Sequence, residues 1–279
     1  MARCAREACN RWRPGLLAHG RRRGVRLDEA WYCCTSCFEA MTRERLIDVT
    51  TTWASTASPR PSSRIGAVLR AQRHITVEQL DAALREQQAS GLRLGEQLVA
   101  MQVLSQTEII RALAAQAGAG YLLGVDPGIV RHGPGGLSPD AVRALGVVPF
   151  DANAQHQHLK VACAAPLPRL ALAALRALTG FQVTPFIVAD EVCRELVEAY
   201  GSLQTGDRPV SAVRPRTVIE ATAHIARAVE TGRAVSVQQA RCDPFVWVRL
   251  EGDAAREDVL LSMDMFVKEQ TWLVEPMPR

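Results

Sequence analysis

The sequence predicts an α+β protein: a helical tandem-repeat subdomain followed by a small α/β layer, with a short cysteine-rich module ahead of them and a small α/β domain behind. Three observations carry that prediction. Residues 64–116 hold an internal repeat whose apolar positions fall at helical spacing. From Tyr121 onward the pattern turns mixed, with helical stretches alternating with short strand-like runs between Gly and Pro turns. Five of the eight cysteines lie in the first 46 residues.

In the opening segment, residues 1–46, ten arginines face five acids, a net of +5 that leaves the rest of the chain near neutral. Clustered cysteines in a chain without a secretion signal argue for metal rather than disulfides. Cys4-x4-Cys9 and Cys34-x2-Cys37 form two close pairs separated by a loop. Tetrahedral thiolate zinc is built that way, so Cys4, Cys9, Cys34 and Cys37 are the expected ligands of a zinc-ribbon-like module. Cys33 competes for a ligand position, and His19 could replace a cysteine. The other reading is a set of reduced structural thiols. Four thiolates leave no open coordination position, so a structural role is expected and not a catalytic one. So short a segment has little core, and a bound ion would supply much of its folding free energy. Arg21, Arg22, Arg23 and Arg26 read as a solvated loop or as a contact for phosphates or an acidic surface.

Residues 47–62 are rich in Ser, Thr and Pro and read as a linker. The repeat follows, inside a predicted domain at 63–202. Arg64-x-Gly66 opens a unit that continues through Val68/Leu69, Thr76, Leu80 and Leu84 to Gln87. Arg93-x-Gly95 opens its copy, through Leu98/Val99, Ser105, Ile109 and Leu113 to Gln116. Thr76 with Gln79 and Ser105 with Glu108 have the spacing of capping boxes, so each unit should be a short helix, a turn and a second helix. Gln87 and Gln116 continue the apolar stripes, where an amide needs a partner from protein or ligand.

The layer behind the repeat is expected to contain a short helix from Ser138-Pro139 to Leu145. Strands at 147–150 and 158–163 come next, then a helix at 167–179 stopped by Gly180. A strand at 183–188 is expected on a sheet edge because of Pro185, and a helix from Asp190 to Tyr200 ends the domain. Residues 203–216 read as a second linker. Residues 217–279 form a small α/β domain with a helix at 217–230, strands at 234–239 and 245–250, a helix near Ala255 and a strand at 271–274.

The net charge of +4 is too small to imply nucleic acid. No run of 18 apolar residues suggests a transmembrane segment, and no secretion signal is apparent, so a cytoplasmic location is expected. The sequence contains no G-x4-G-K-[ST], and hence no phosphate-cradling loop with a lysine. G-x-S-x-G, H-E-x-x-H and kinase signatures are also missing, so a non-enzyme is expected. His156 and His158 read as a solvated turn in preference to a metal pair. Cys163, Cys193 and Cys242 read as buried thiols.

The paired R-x-G…Q frame resembles the N-terminal domain of type II secretion and type IV pilus assembly ATPases, the GspE/PilB/MshE group. Leu159-Lys160-Val161-Ala162-Cys163-Ala164-Ala165-Pro166 and Leu175-x-x-Leu178-Thr179-Gly180 extend the resemblance to about Gly201. The form called MshEN binds cyclic di-GMP through two such motifs. The resemblance therefore implies a regulatory domain whose motor is not in this sequence, acting with a secretion or pilus machinery protein. It also implies ligand contacts at Arg64, Gly66, Leu69 and Gln87 and at Arg93, Gly95, Leu98 and Gln116. Arginine would meet a guanine face or edge, and glycine would let backbone amides approach phosphate. The alternative is a docking adaptor with no nucleotide, in which Arg64 or Arg93 pairs with Glu78, Glu86 or Glu96. The frame departs from the family at Arg73 and Gln102, where the turn carries glycine, at His74 for leucine, and at Ala165 for aspartate. Loss of the glycines is expected to alter the turns.

Overall fold

The computed structural model describes residues 2–9, 11–13, 25–27, 30–52, 64–130, 136–202, 210–242, 244–253 and 255–266. His19, Arg21 to Arg23, Trp53, most of the first linker and the strand expected at 271–274 lie outside them. The chain divides into two compact units, one of residues 1–57, 173–179 and 205–279, the other of residues 58–172 and 180–204.

The first unit joins the two ends of the chain. Two minimal hairpins, β1 (Ala2–Arg3) with β2 (Trp12–Arg13) and β3 (Val25–Leu27) with β4 (Ala30–Tyr32), lead into helix α1 (Thr35–Thr52). The expected linker therefore starts inside a helix, because α1 continues past residue 47.

The second unit begins with the repeat: α2 (Ile65–Ala71), α3 (Val77–Ser90), α4 (Leu94–Ala100) and α5 (Gln106–Ala117). Both capping boxes form. Thr76 Oγ1 accepts from the Gln79 amide and Ser105 Oγ from the Glu108 amide, while Gln79 and Glu108 reach back to the cap amides. Helix α2 packs against α5 and α3 against α4, so the copies close on one shared core. That core is Leu69, Ile75, Ala83, Leu98, Leu104, Ile109 and Ala112.

The turns expected to change keep their shape. Arg73 and Gln102 are left-handed, at φ 59° and 56°. The His74 amide donates to the Leu69 carbonyl and the Arg73 amide to the Arg70 carbonyl. Val103 with Leu98 and Gln102 with Val99 repeat the pattern. These are the paired bonds of a Schellman turn, whose C′ position is usually glycine. The hydrogen bonds and the buried leucines hold the backbone there despite the Cβ.

After the repeat come β5 (Gly120–Tyr121), α6 (Pro139–Leu145), β6 (Val147–Asn153), β7 (His158–Cys163), α7 (Arg169–Thr179, of which residues 173–179 belong to the first unit), β8 (Gln182–Ile187) and α8 (Asp190–Ser202). The strands form one sheet in the order β5-β8-β7-β6, antiparallel only between β6 and β7. The strand with Pro185 is thus interior. Its neighbour β5 pairs only with Phe186 and Ile187, so Pro185 itself needs no donor on that side. Ser138 caps α6, and the Tyr200 hydroxyl, wholly buried, donates to the Leu137 carbonyl at 2.7 Å.

The chain then returns to the first unit with β9 (Val210–Val213), α9 (Val218–Glu230), β10 (Ser236–Cys242), β11 (Phe245–Glu251) and β12 (Arg256–Ser262). The second expected linker contains a strand, and the helix expected near Ala255 is strand β12. These two corrections are linked. Strand β9 exists by parallel pairing with β12, in a sheet ordered β10-β11-β12-β9. The run Val259-Leu260-Leu261 is buried on both faces, and such a run carries no period that separates strand from helix. Arg249 and Asp258 sit opposite each other, both at 0% exposure, with Nε to Oδ1 at 2.9 Å. Trp247 Nε1 donates to the same carboxylate oxygen.

The N-terminal module and the C-terminal domain do not have separate cores. Tyr32, Cys37, Phe38 and Leu46 share one cluster with Ile225 and Val229 of α9 and with Val248 and Leu261 of the sheet.

Candidate functional site

Arg93 sits just before α4 in an extended conformation, and its amide donates to Glu96 Oε2 at 2.9 Å. Its guanidinium reaches Asp190 Oδ2, at the start of α8, at 3.8 Å, with the side chains 71% and 43% exposed. A pair that long and that wet contributes little and exchanges readily for another anion. It stands at the mouth of a cleft of about 640 Å³ whose lining includes Arg93, Gly95, Val99, Ile109, Asp190 and Arg194. A second cleft of about 550 Å³ shares Arg93, Asp190 and Arg194 and includes Ala165.

The cleft carries opposing charge as well. Glu96 and Glu191 line it, and Glu191 Oε2 accepts from Gln106 Nε2 at 3.0 Å. Its own backbone amide, then Gln106, hold the Glu191 carboxyl below the usual carboxylate range. Arg194 Nη2 lies 3.5 Å from Glu191 Oε1.

Of the eight residues expected to contact a ligand, this cleft takes Arg93 and Gly95. Arg64 is an exposed N-cap of α2, and Arg64, Gly66, Gln87 and Gln116 do not line the cleft. Leu69 and Leu98 are at 0% exposure inside the repeat core, whereas Val99 lines the cleft. The glycines also pack. A Cβ on Gly66 would stand 3.0 Å from Leu80 Cδ1, and one on Gly95 2.9 Å from Ile109 Cγ2, so each lets its two helices close. Arg194 and the opposing Asp190 and Glu191 had no motif to mark them. They join the site only because α8 starts beside α4.

The second candidate site is the thiol cluster. The Sγ atoms of Cys4, Cys9, Cys33 and Cys37 all lie within 4.8 Å of one another. Cys33 takes the place expected for Cys34. It follows β4 directly and turns its thiol to Cys9 and Cys37, both at 3.6 Å. The Cys34 thiol takes amide hydrogen bonds at the start of α1 and accepts from the Cys33 thiol at 3.8 Å. A tetrahedral ion with bonds of about 2.3 Å to sulfur separates its ligands by about 3.8 Å, so the spacing fits. Backbone amides face the sulfurs too. The Cys33 amide donates to Cys4 Sγ at 3.5 Å. The Arg11 amide, and then the Cys33 thiol, hold Cys9 down at about 7. Such donors suit thiolates, which is the form a metal takes. The described thiols can hold a metal ion.

Elsewhere, His158 Nε2 bonds the Thr184 hydroxyl at 2.8 Å. Cys163, Cys193 and Cys242 are buried, and burial pushes the Cys163 thiol up to about 12. No helix among the described residues is long and apolar enough to cross a membrane.

Residues 125–207 match the MshEN domain, which spans the sheet β6–β8 with α6 to α8. That segment is similar to the MshEN domain. Over 143 residues it is 29% identical to the type IV pilus assembly ATPase PilB of Myxococcus xanthus (strain DK1622), covering 50% of this chain and 24% of that protein. The chain thus matches about a quarter of the length of that relative. Two solved structures, of MshE with cdg and of the N-terminal domain of XpsE, align with 50% and 51% of this chain and 96% of each of theirs. Their identities are 24% and 20%, and the TM-scores 0.39 and 0.37. The MshEN match lies behind the helical repeat, whose own evidence is its duplicated frame.

Proposed function

We propose that this chain is a non-catalytic regulatory protein that binds cyclic di-GMP at the Arg93 cleft and relays that state to a secretion or pilus machinery protein on the cytoplasmic face. The observation that carries the reading is Arg93 itself. It is the motif arginine at the mouth of an open cleft, held by one long, solvated ion pair that a phosphate can displace. Arg194 supplies a second cation there, and Val99 an apolar surface for a base. The choice of dinucleotide follows from the resemblance of the duplicated R-x-G…Q frame to the form of the domain that binds cyclic di-GMP. The thiol cluster belongs to the same proposal as a structural zinc site with ligands Cys4, Cys9, Cys33 and Cys37. When bound, the ion supplies a cross-link between segments and no chemistry.

Calorimetric titration of the full chain with cyclic di-GMP, with GTP as control, tests the ligand. Micromolar or tighter binding selective for the cyclic dinucleotide is expected. Arg93→Ala should weaken it tenfold or more, the equivalent of losing one charge-assisted contact of about 1.5–3 kcal/mol. Asp190→Ala, which removes the competing carboxylate, should tighten it. Absence of heat at saturating ligand would defeat the receptor reading.

One observation favours the alternative, a docking adaptor. Glu96, Asp190 and Glu191 line the cleft against two arginines, a balance that suits a basic peptide segment better than a dianion. In that case Arg93→Ala leaves partner affinity nearly unchanged, and charge reversal at Glu191 lowers it.

A further inference from the structure

We infer that the metal site at Cys4, Cys9, Cys33 and Cys37 controls the folding of the C-terminal domain, and that the two ends of the chain form one metal-dependent unit. The inference rests on the zinc reading above and extends it from a local cross-link to the state of residues far along the chain.

The N-terminal segment has little of its own to hold it. Its strands are two or three residues long, and isolated two-stranded ribbons are marginal in water. The four thiols join those ribbons to the first turn of α1, where Cys37 lies. Helix α1 in turn covers α9. Phe38 and Leu46, at 1% and 0% exposure, share a core with Ala221, Ile225 and Val229. Thr35 Oγ1 bonds Glu230 Oε1 at the far end of α9, and Gln239 Nε2 of β10 donates to the Arg45 carbonyl at 3.3 Å. Tyr32 meets Phe38 edge to face at 5.2 Å, tying the ribbon beside the thiols to the helix.

Without the ion, four sulfurs packed this closely lose their reason to stay together. Cys37 then no longer fixes the start of α1, and the apolar face of α9 loses its cover. Val246, Val248, Val259 and Leu261 of the sheet belong to the same core cluster as α1 and α9. Exposure therefore passes from the thiols to the sheet through packed side chains.

The test is metal analysis of the full chain, followed by hydrogen exchange with and without a strong chelator under reducing conditions. About one zinc per chain is expected, retained in Cys34→Ser and lost in Cys33→Ser. On chelation, exchange should rise at least tenfold in α9 and in β10 to β12 together with residues 2–9 and 30–37, while α2 to α5 stay protected. If only residues 2–9 and 30–37 loosen, the ion is a local clip and this inference fails while the zinc reading stands. Equal loosening of α2 to α5 also overturns it. A chain that takes up no zinc even on reconstitution sinks the zinc reading and this inference with it. Chelation of the native chain keeps the test valid even if Cys33→Ser does not fold.

Discussion

The repeat of the second unit and the composite first unit use their polar groups in opposite ways. In the repeat, hydroxyls and carboxylates work at exposed helix starts, and each cap serves the helix that follows it within three residues. In the composite unit, Arg249 and Asp258 sit at 0% exposure in the sheet, and thiols from residues 4 to 37 meet a core made by residues 218 to 266. Local polar groups specify where a helix begins, and each contributes about 1 kcal/mol. Buried ones that join distant segments concentrate more free energy in fewer residues, so damage there should spread further.

The largest expected effect sharpens that contrast. Asp258→Ala strips a fully buried guanidinium of its carboxylate and removes the acceptor of Trp247 Nε1. Removing one partner of a buried pair costs about 3–5 kcal/mol. Asp190→Ala breaks an ion pair of the same chemistry at a wet surface and should cost under about 1 kcal/mol. Urea denaturation, with exchange of the β11 and β12 amides to locate the loss, measures both. Comparable costs for the two variants would remove the distinction between the units.

A middle-sized effect divides the repeat against itself. Alanine for glycine inside a helix gains up to about 1 kcal/mol of propensity, and overpacking costs about 1–3 kcal/mol. On Gly66 the new methyl meets the end of Leu80, which can turn away. On Gly95 it meets Cγ2 of Ile109, a stiff branched side chain already buried at 8% exposure. Gly66→Ala should therefore be nearly neutral, and Gly95→Ala should cost about 1–2 kcal/mol in the same urea experiment. A similar penalty at both sites would show that Leu80 is as immobile as Ile109.

These differences track what was legible in the chain. Caps at Thr76 and Ser105, the Arg-x-Gly frame, and the β6–β7 strands depend on neighbours within a few residues, and each could be read directly. Strand β9 could not, because the strand it pairs with, β12, is some 46 positions away and was itself hidden in a doubly buried run. Spacing alone left Cys33 and Cys34 equivalent. Only the fold shows that the Cys33 thiol lies within 4.8 Å of those of Cys4, Cys9 and Cys37. The union of the chain ends had no sequence signal of any kind, since complementary apolar faces on α1 and α9 carry no mark of which face each will cover. In the cleft, Arg93 was legible from its motif, but Asp190, Glu191 and Arg194 needed the tertiary fold. The leucines of the motif, expected at the ligand, are buried in the repeat core, which the motif alone did not mark.

The smallest effect concerns the two turns. Arg73 and Gln102 are exposed and left-handed, where a side chain with Cβ carries a strain of about 1–2 kcal/mol that glycine does not. Glycine also loosens the unfolded chain, which returns part of the gain. Gln102→Gly and Arg73→Gly should each stabilise the repeat by about 0.5–1 kcal/mol, whereas Gln102→Ala should leave it unchanged, because alanine keeps the strain. Equal stability of the glycine and alanine variants would mean that the turn is not strained. The same variants bear on the ligand. The Schellman bonds already hold both turns in the shape that glycine would give, so cyclic di-GMP affinity should not move when glycine is restored. A tightening of several-fold would show that these side chains, and not the backbone of the turn, oppose the dinucleotide.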